Sequence, residues 1–333
     1  MSERVSKYIS SFAGHIEAML DYREALGFSR VSYEPYLQHF DRFAATTFPG
    51  VDVISREMAT GWVNQHLHKS RGGAIKKASI VRQFGRYLSA VGKESYILPD
   101  EYITKPTSTF VPYLFTDDEL TRLFHTADRL PKSEVNPLAS KIPPVLFRLI
   151  YTCGLRPNEG RELLRKNINF KTGEIIITKT KRKKERIVVL SDDMLGLCKK
   201  YNTVLDSLNI ESEYFFPGKD GQPYTAPQVE KMFKRCWSDA NPKIPDDKLP
   251  NVRVYDLRHR FASTVLCNWL EEKQNLYNKL PYLRAYMGHD KLSDTAYYIH
   301  ILPENLVKNT GIDWEAFELL IPDVGTGAVS WHR

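Results

Sequence analysis

YMGHDKLSDTAYYIHI, residues 286–301, sets two tyrosines side by side, with a histidine nine residues ahead of the second. Gly288 ends one helical pattern and His289 stands in the turn after it. Ser293 is placed as an N-cap, with Asp294 early in the short helix that follows. Neighbouring residues on a helix point about 100° apart, so Tyr297 and Tyr298 cannot both face one site. One is expected to fill the core, which leaves the other for chemistry. Taken singly, either tyrosine is most simply a packing residue, so the rest of the chain has to decide.

Three other segments carry groups of the same kind. VYDLRHRFAST (254–264) puts Tyr255, Arg258 and His259 at i, i+3 and i+4, on one side of a helix. An arginine early in a largely apolar helix needs a partner, because a buried guanidinium without one is costly. A carboxylate and a phosphate would both serve. His259 reads as a core histidine. CGLRPNEG (153–160) places Arg156 just past a helix stop, with Glu159 three residues on. GEIIITKTKRKKERIVVL (173–190) reads as two β-branched strands around a basic turn. Six of the eight residues from Lys179 to Arg186 are Lys or Arg, so the turn repels itself unless an anion approaches. Arg182, Lys183 and Lys184 form its cationic tip, and Lys181 or Lys179 is placed to give a proton to a leaving oxygen.

Helices dominate the remainder. YISSFAGHIEAMLDYREALG, SYEPYLQHFDRFAATTF, EMATGWVNQHLH and AIKKASIVRQFGRYLSAVG predict a bundle of four or five helices over the first hundred residues. On the last of these, Lys76, Lys77, Arg82 and Arg86 recur near one face, a candidate phosphate-binding surface. Residues 101–112, rich in proline and without periodicity, read as a linker. Thr116 to Glu119 is a capping box that opens the next helix. Further helices are predicted near 192–206, 225–240, 255–270 and 281–287. The fold class is mainly α with a small β-sheet. The domains are 1–100, a helical bundle, and 113–313, with a tail at 314–333.

Lys and Arg exceed Asp and Glu by 47 − 40 = 7, and the pI is about 9.0. The excess favours a polyanionic partner. The four cysteines are scattered and none forms a CxxC, so neither a zinc site nor a disulfide framework is expected. No apolar run approaches the ~18 residues of a membrane span, and the start shows no secretion signal. A cytoplasmic protein without metal or nucleotide cofactor is the expectation, since P-loop and Asp-rich metal signatures are both missing.

Taken together, the segments resemble the tyrosine recombinase (phage integrase) family. The matching pattern is an Arg in G-L-R-x-x-E, a Lys on a β-hairpin, an Arg in D-L-R-H, a G-H, and a Tyr nine residues beyond that His. The resemblance covers most of the chain. It implies a SAM-like core-binding bundle that clamps DNA, followed by the catalytic domain. It also implies that Arg156 and Arg258 are the catalytic arginines, Lys181 the hairpin lysine with Lys179 in reserve, and His289 the His of G-H. Tyr298 becomes the nucleophile, Tyr297 the core residue, and Glu159 the acid that holds the first Arg. One position departs: Tyr255 stands where the family usually has a His, and a phenol is a poor base at neutral pH.

The implied activity is site-specific recombination of double-stranded DNA by an integrase or transposase of a mobile element, through a 3′-phosphotyrosyl intermediate. A homo-oligomer is implied, a tetramer in the synapse, whose C-terminal tails dock on neighbouring protomers. An accessory directionality protein fits the same scheme. Two other readings share these residues. A type IB topoisomerase would relax supercoils without joining two sites. A non-catalytic DNA-binding regulator would draw support from Tyr255.

Overall fold

The computed structural model describes residues 7–65, 67, 70–103, 112–178 and 185–302, with the backbone alone described at His300 and Ile301. The chain divides into two compact units, Met1–Ser108 and Thr109–Arg333. Residues 104–111, within the predicted linker, lie outside the described residues, as does the tail.

Among its described residues the first unit holds four α-helices: α1 (Ala13–Ala25), α2 (Glu34–Thr47), α3 (Arg56–Asn64) and α4 (Arg71–Ala90). Serine caps start two of them. Ser55 Oγ accepts from the Met58 amide at 3.0 Å and Ser70 Oγ from the Gly73 amide at 3.2 Å. Phe12, Phe40, Phe84 and Trp62, all fully buried, pack at the centre, with Phe40 edge to face on Trp62 at 5.3 Å and 86°. Each such ring contributes about 1.5–3 kcal/mol by leaving water.

The α4 cations do not form one face. Lys77 is buried, at 2% exposure. Its Nζ lies 4.6 Å over the Trp62 ring and donates to the Trp62 carbonyl at 3.3 Å. Burial pulls its pKa down to about 8. Arg82 donates to the carbonyls of Leu98 and Pro99 at 2.7 and 2.6 Å and pairs with Asp100, which Arg86 shares. These two arginines fasten the segment after α4 back onto the helix. Lys76 sits one position from Lys77, 5.4 Å from the Tyr33 ring. Adjacent helical residues diverge by about 100°, which is why the expected phosphate surface separates into packing and stapling roles.

The second unit runs α5 (Asp117–Asp128), α6 (Ile142–Cys153), α7 (Pro157–Arg161), β1 (Glu174–Ile177), β2 (Arg186–Val189), α8 (Asp192–Ser207), α9 (Ala226–Ala240), α10 (Val254–Glu271), α11 (Leu276–Met287) and α12 (Leu292–Ala296). A 3₁₀ turn, Tyr297–Ile301, follows. The capping box at Thr116 forms as the sequence suggests, with reciprocal bonds of 3.2 and 2.8 Å to Glu119. β1 and β2 pair antiparallel, Ile176 opposite Ile187; Ile175, Ile177 and Val188 face the core.

Two differences from the sequence reading bear on the site. α11 begins five residues before Pro281, which lies inside it, where the sequence predicts a helix only near 281–287. α12 starts at Leu292 with Lys291 as N-cap, not Ser293, and both tyrosines fall on the 3₁₀ turn. Among the described residues no helix is long and apolar enough to cross a membrane.

Among the described residues of the second unit, buried side chains form a main core and a smaller cluster. Val254 and Leu257 of α10 belong to the main core. Ala262, Leu266 and Leu270, further along it, join the smaller cluster with Leu283, Met287 and Tyr298. Arg258 lies on α10 where the helix passes from one to the other.

Candidate active site

Arg156 sits between two turns of fixed geometry. Gly154 ends α6 in the left-handed region at φ 57°, and a Cβ there would fall 2.4 Å from Cδ1 of Phe261. Only glycine fits. Arg156 is then the extended N-cap of α7. Its backbone amide and its Nη1 donate to the two oxygens of Glu159, at 2.9 and 2.8 Å, and its Nη2 reaches the Gly288 carbonyl at 2.6 Å.

Glu159 is 5% exposed, and it binds a third group that the motifs do not mark. Arg186, from the start of β2, grips both carboxylate oxygens at 2.9 and 2.6 Å and donates from Nε to the Tyr286 carbonyl at 2.8 Å. Burial alone would raise the pKa of Glu159. Hydrogen bonds and charge from Arg186, then Arg156, override it and hold the carboxyl at about 2.

Arg258 is fully buried. Nη1 donates to the Gly154 carbonyl at 2.5 Å, and Nη2 donates to the Met287 carbonyl at 2.7 Å and lies 2.9 Å from Nε2 of His289. Glu159 is 3.9 Å away. The partner that the sequence demanded is therefore backbone and imidazole, with the carboxylate at the edge. A guanidinium only donates, so His289 Nε2 must accept; Nδ1 then carries the hydrogen and donates to Thr295 Oγ1 at 2.8 Å. Burial, then Arg258, Arg156 and Arg186, drive the His289 pKa down to about 3, which keeps the ring neutral. Within this cluster three guanidiniums face one carboxylate among the described residues, a surplus of 3 − 1 = 2 positive charges.

The tyrosines exchange the places expected of them. Tyr298 is 2% exposed and Tyr297 is 37% exposed. The backbone turns through a 3₁₀ step here and brings Tyr298 inward. Its ring stacks on His289 at 6.0 Å and 11°, and lies 5.4 Å from the ring of His259. Burial raises the Tyr298 pKa to about 12, against the pull of Arg258. Tyr255 lies 4.9 Å from His259. His259 is buried as predicted but not satisfied: its Nδ1 has no hydrogen-bond partner, and burial lowers its pKa to about 4.

The structure thus brings together Arg156, Glu159, Arg258, His289 and Tyr298, with Tyr255 and His259 at the margin and Arg186 added. Lys179, Lys181, Arg182, Lys183 and Lys184 lie outside the described residues. Arg186 escaped the sequence reading because it was counted with the cationic turn. Its place at the head of a strand with inward alternation was the available signal. Among the described residues no group of His, Cys, Asp and Glu is arranged to hold a metal ion.

The model of the phage integrase family matches residues 114–305. The tyrosine recombinase XerD of Rhizobium meliloti is 25% identical over 312 residues, 92% of this chain and 94% of that protein. The protein y4rE of Sinorhizobium fredii is 28% identical over 291 residues, 85% of this chain and 90% of that one. The fold is similar to that of the site-specific recombinase XerH bound to its difH substrate, with a TM-score of 0.61 at 18% identity, over 85% of this chain and 79% of that one.

Proposed function

The chain belongs to the phage integrase family, and on that premise we propose that it cleaves and rejoins double-stranded DNA at specific sites through a 3′-phosphotyrosyl link to Tyr298. The observation that carries this reading is the junction of Arg156 and Arg258 through Glu159, Gly154 and the 287–289 turn, beside the Tyr298 ring.

Attack on a phosphodiester builds negative charge on the two non-bridging oxygens. Two guanidiniums can fork onto those oxygens, which an ammonium cannot imitate. The surplus of two positive charges matches the charge that develops in the transition state. His289 uses both nitrogens to hold the Arg258 fork and Thr295, so its role in this arrangement is orientation. The DNA phosphate would raise the pKa of both imidazoles. His259, with a free Nδ1, then becomes able to take the phenol proton in place of the His that Tyr255 displaces. Lys181 would protonate the leaving 5′ oxygen. With Tyr298 and Arg258 both buried, DNA reaches the hydroxyl and the Arg258 fork only after the 287–289 and 297–301 turns shift.

The N-terminal helical unit would supply a second grip on the duplex, with phosphate contacts that make affinity salt-sensitive. A tetramer on DNA, linked by C-terminal tails, and an integrase or transposase role in a mobile element complete the proposal. A nicked suicide substrate should trap a covalent protein–DNA adduct. Tyr298→Phe should abolish the adduct and Tyr297→Phe should keep it. The reverse result would move the nucleophile to Tyr297, and no adduct from the unaltered protein would sink the recombinase reading.

A further inference from the structure

Arg186 lies at the meeting point of three segments that approach the cluster from far apart in the chain. Its fork closes on both oxygens of Glu159, at 2.9 and 2.6 Å. Its Nε holds the Tyr286 carbonyl at the end of α11, at 2.8 Å. Its side chain is 9% exposed, and it packs so closely on Gly288 that a Cβ there would lie 3.1 Å from Nη1 and 3.2 Å from Cδ. The same Gly288 gives its carbonyl to Arg156.

The bonding of Glu159 shows what this achieves. Arg186 takes one lone-pair site on each oxygen and fixes the plane of the carboxylate. Arg156 is left with a single side-chain bond to Glu159, from Nη1 to Oε1. Arg156 is also the more accessible of the two phosphate-binding candidates, with 29% of its side chain exposed. Without Arg186, the buried carboxylate would lose its main counter-charge and draw Arg156 into a full two-pronged pair, turning its fork away from a ligand.

We propose that Arg186 is a positioning residue for strand cleavage: by occupying Glu159 it keeps the Arg156 fork directed at the phosphate. The proposal rests on the reading of Arg156 and Arg258 as the groups that bind the scissile phosphate. Among the described residues, the charged and titratable groups facing Glu159 are Arg186 from β2, Arg156 from the α7 cap, Arg258 from α10 and, from the turn after α11, His289.

The test is the single-turnover rate of adduct formation on the nicked substrate at saturating protein, beside DNA affinity, for Arg186→Met, Arg186→Lys, Glu159→Gln and the double variant Arg186→Met/Glu159→Gln. Arg186→Met should slow cleavage by roughly 100-fold, the scale of a 1 Å misplacement, with affinity changed by less than about threefold. Lysine keeps the charge without the fork and should restore less than about a tenth of the rate. In the Glu159→Gln background, loss of Arg186 should cost no more than about threefold further, since no carboxylate remains to be held. Arg186→Met should also gain an acid limb between about pH 5 and 7, as Glu159 loses the charge that keeps it ionised, in addition to any limb from His259 that the unaltered protein and the double variant share.

An Arg186→Met rate within about threefold of the unaltered protein, or fully multiplicative losses in the double variant, would overturn the proposal. If circular dichroism shows Arg186→Met unfolded, Arg186→Lys and the double variant decide. A double variant as fast as Glu159→Gln supports the positioning role, and one more than about tenfold slower refutes it. Failure of the unaltered protein to form an adduct defeats the recombinase reading and this inference with it. An adduct with Arg186→Met unaffected defeats this inference alone.

Discussion

Replace Arg258 with lysine and one point charge stands where a planar fork was. Nη1 now serves the Gly154 carbonyl, and Nη2 serves the Met287 carbonyl and His289 Nε2. These acceptors come from the end of α6 and from the 287–289 turn, and one ammonium cannot reach them all. Two of the three are left buried without a donor, at about 1–3 kcal/mol each, or about 2–6 kcal/mol of stability. For a unit this size that is a fall in melting temperature on the order of 10 °C. A domain of ordinary stability, about 5–15 kcal/mol, still stays folded at 25 °C in most of that range. Any large loss of cleavage measured on saturated DNA at that temperature is therefore chemical. Loss of one preorganised donor typically costs ~100- to 1000-fold. The assay is single-turnover adduct formation beside a thermal melt and a binding isotherm. A variant that melts lower but cleaves within about tenfold of the unaltered protein would make Arg258 a structural strut, and the phosphate-binding argument would fail.

Two further measurements bear on the same residues. His259 and His289 titrate near 4 and 3 in the folded chain, lowered from 6.5 first by burial. The unfolded chain thus binds more protons between those values, and stability, complete above pH 6.5, is lost as pH falls towards 4 and 3. By pH 5 the two should remove up to about 4 kcal/mol from the second unit; a melting temperature flat from pH 7.5 to 5 would contradict this. Lys77→Met, which replaces a buried ammonium with an apolar chain of similar length, should leave the melting temperature of the first unit unchanged or raise it. DNA affinity should stay within about twofold, and a tenfold loss in a binding isotherm would return Lys77 to the DNA-contacting surface.

The sequence made the helices legible because their signals are local. A capping box at Thr116 and glycine stops at Gly154 and Gly288 each act within one turn of chain. The pairing of Arg156 with Glu159 was legible for the same reason. What depended on distant segments was not. Tyr297 and Tyr298 differ by one position, and which turned inward depended on a 3₁₀ step after α12 that no spacing rule marks. Arg186 looked like one more cation of the basic turn, because its partner lies 27 residues away. Lys77 looked like part of a basic stripe, although Trp62 on another helix claims it.

Glu159 answers to three arginines rooted in α7, β2 and α10, and all three also hold carbonyls at the end of α11 or of the glycine after it. Such a knot leaves little freedom for piecemeal drift. A lineage that loses the carboxylate strands a cluster of like charges, and one that loses an arginine first strands an acid in a dry pocket. The tolerable routes change two partners almost at once. Variation within close kin should therefore collect in surface loops, while this quartet is inherited as a block or abandoned as one.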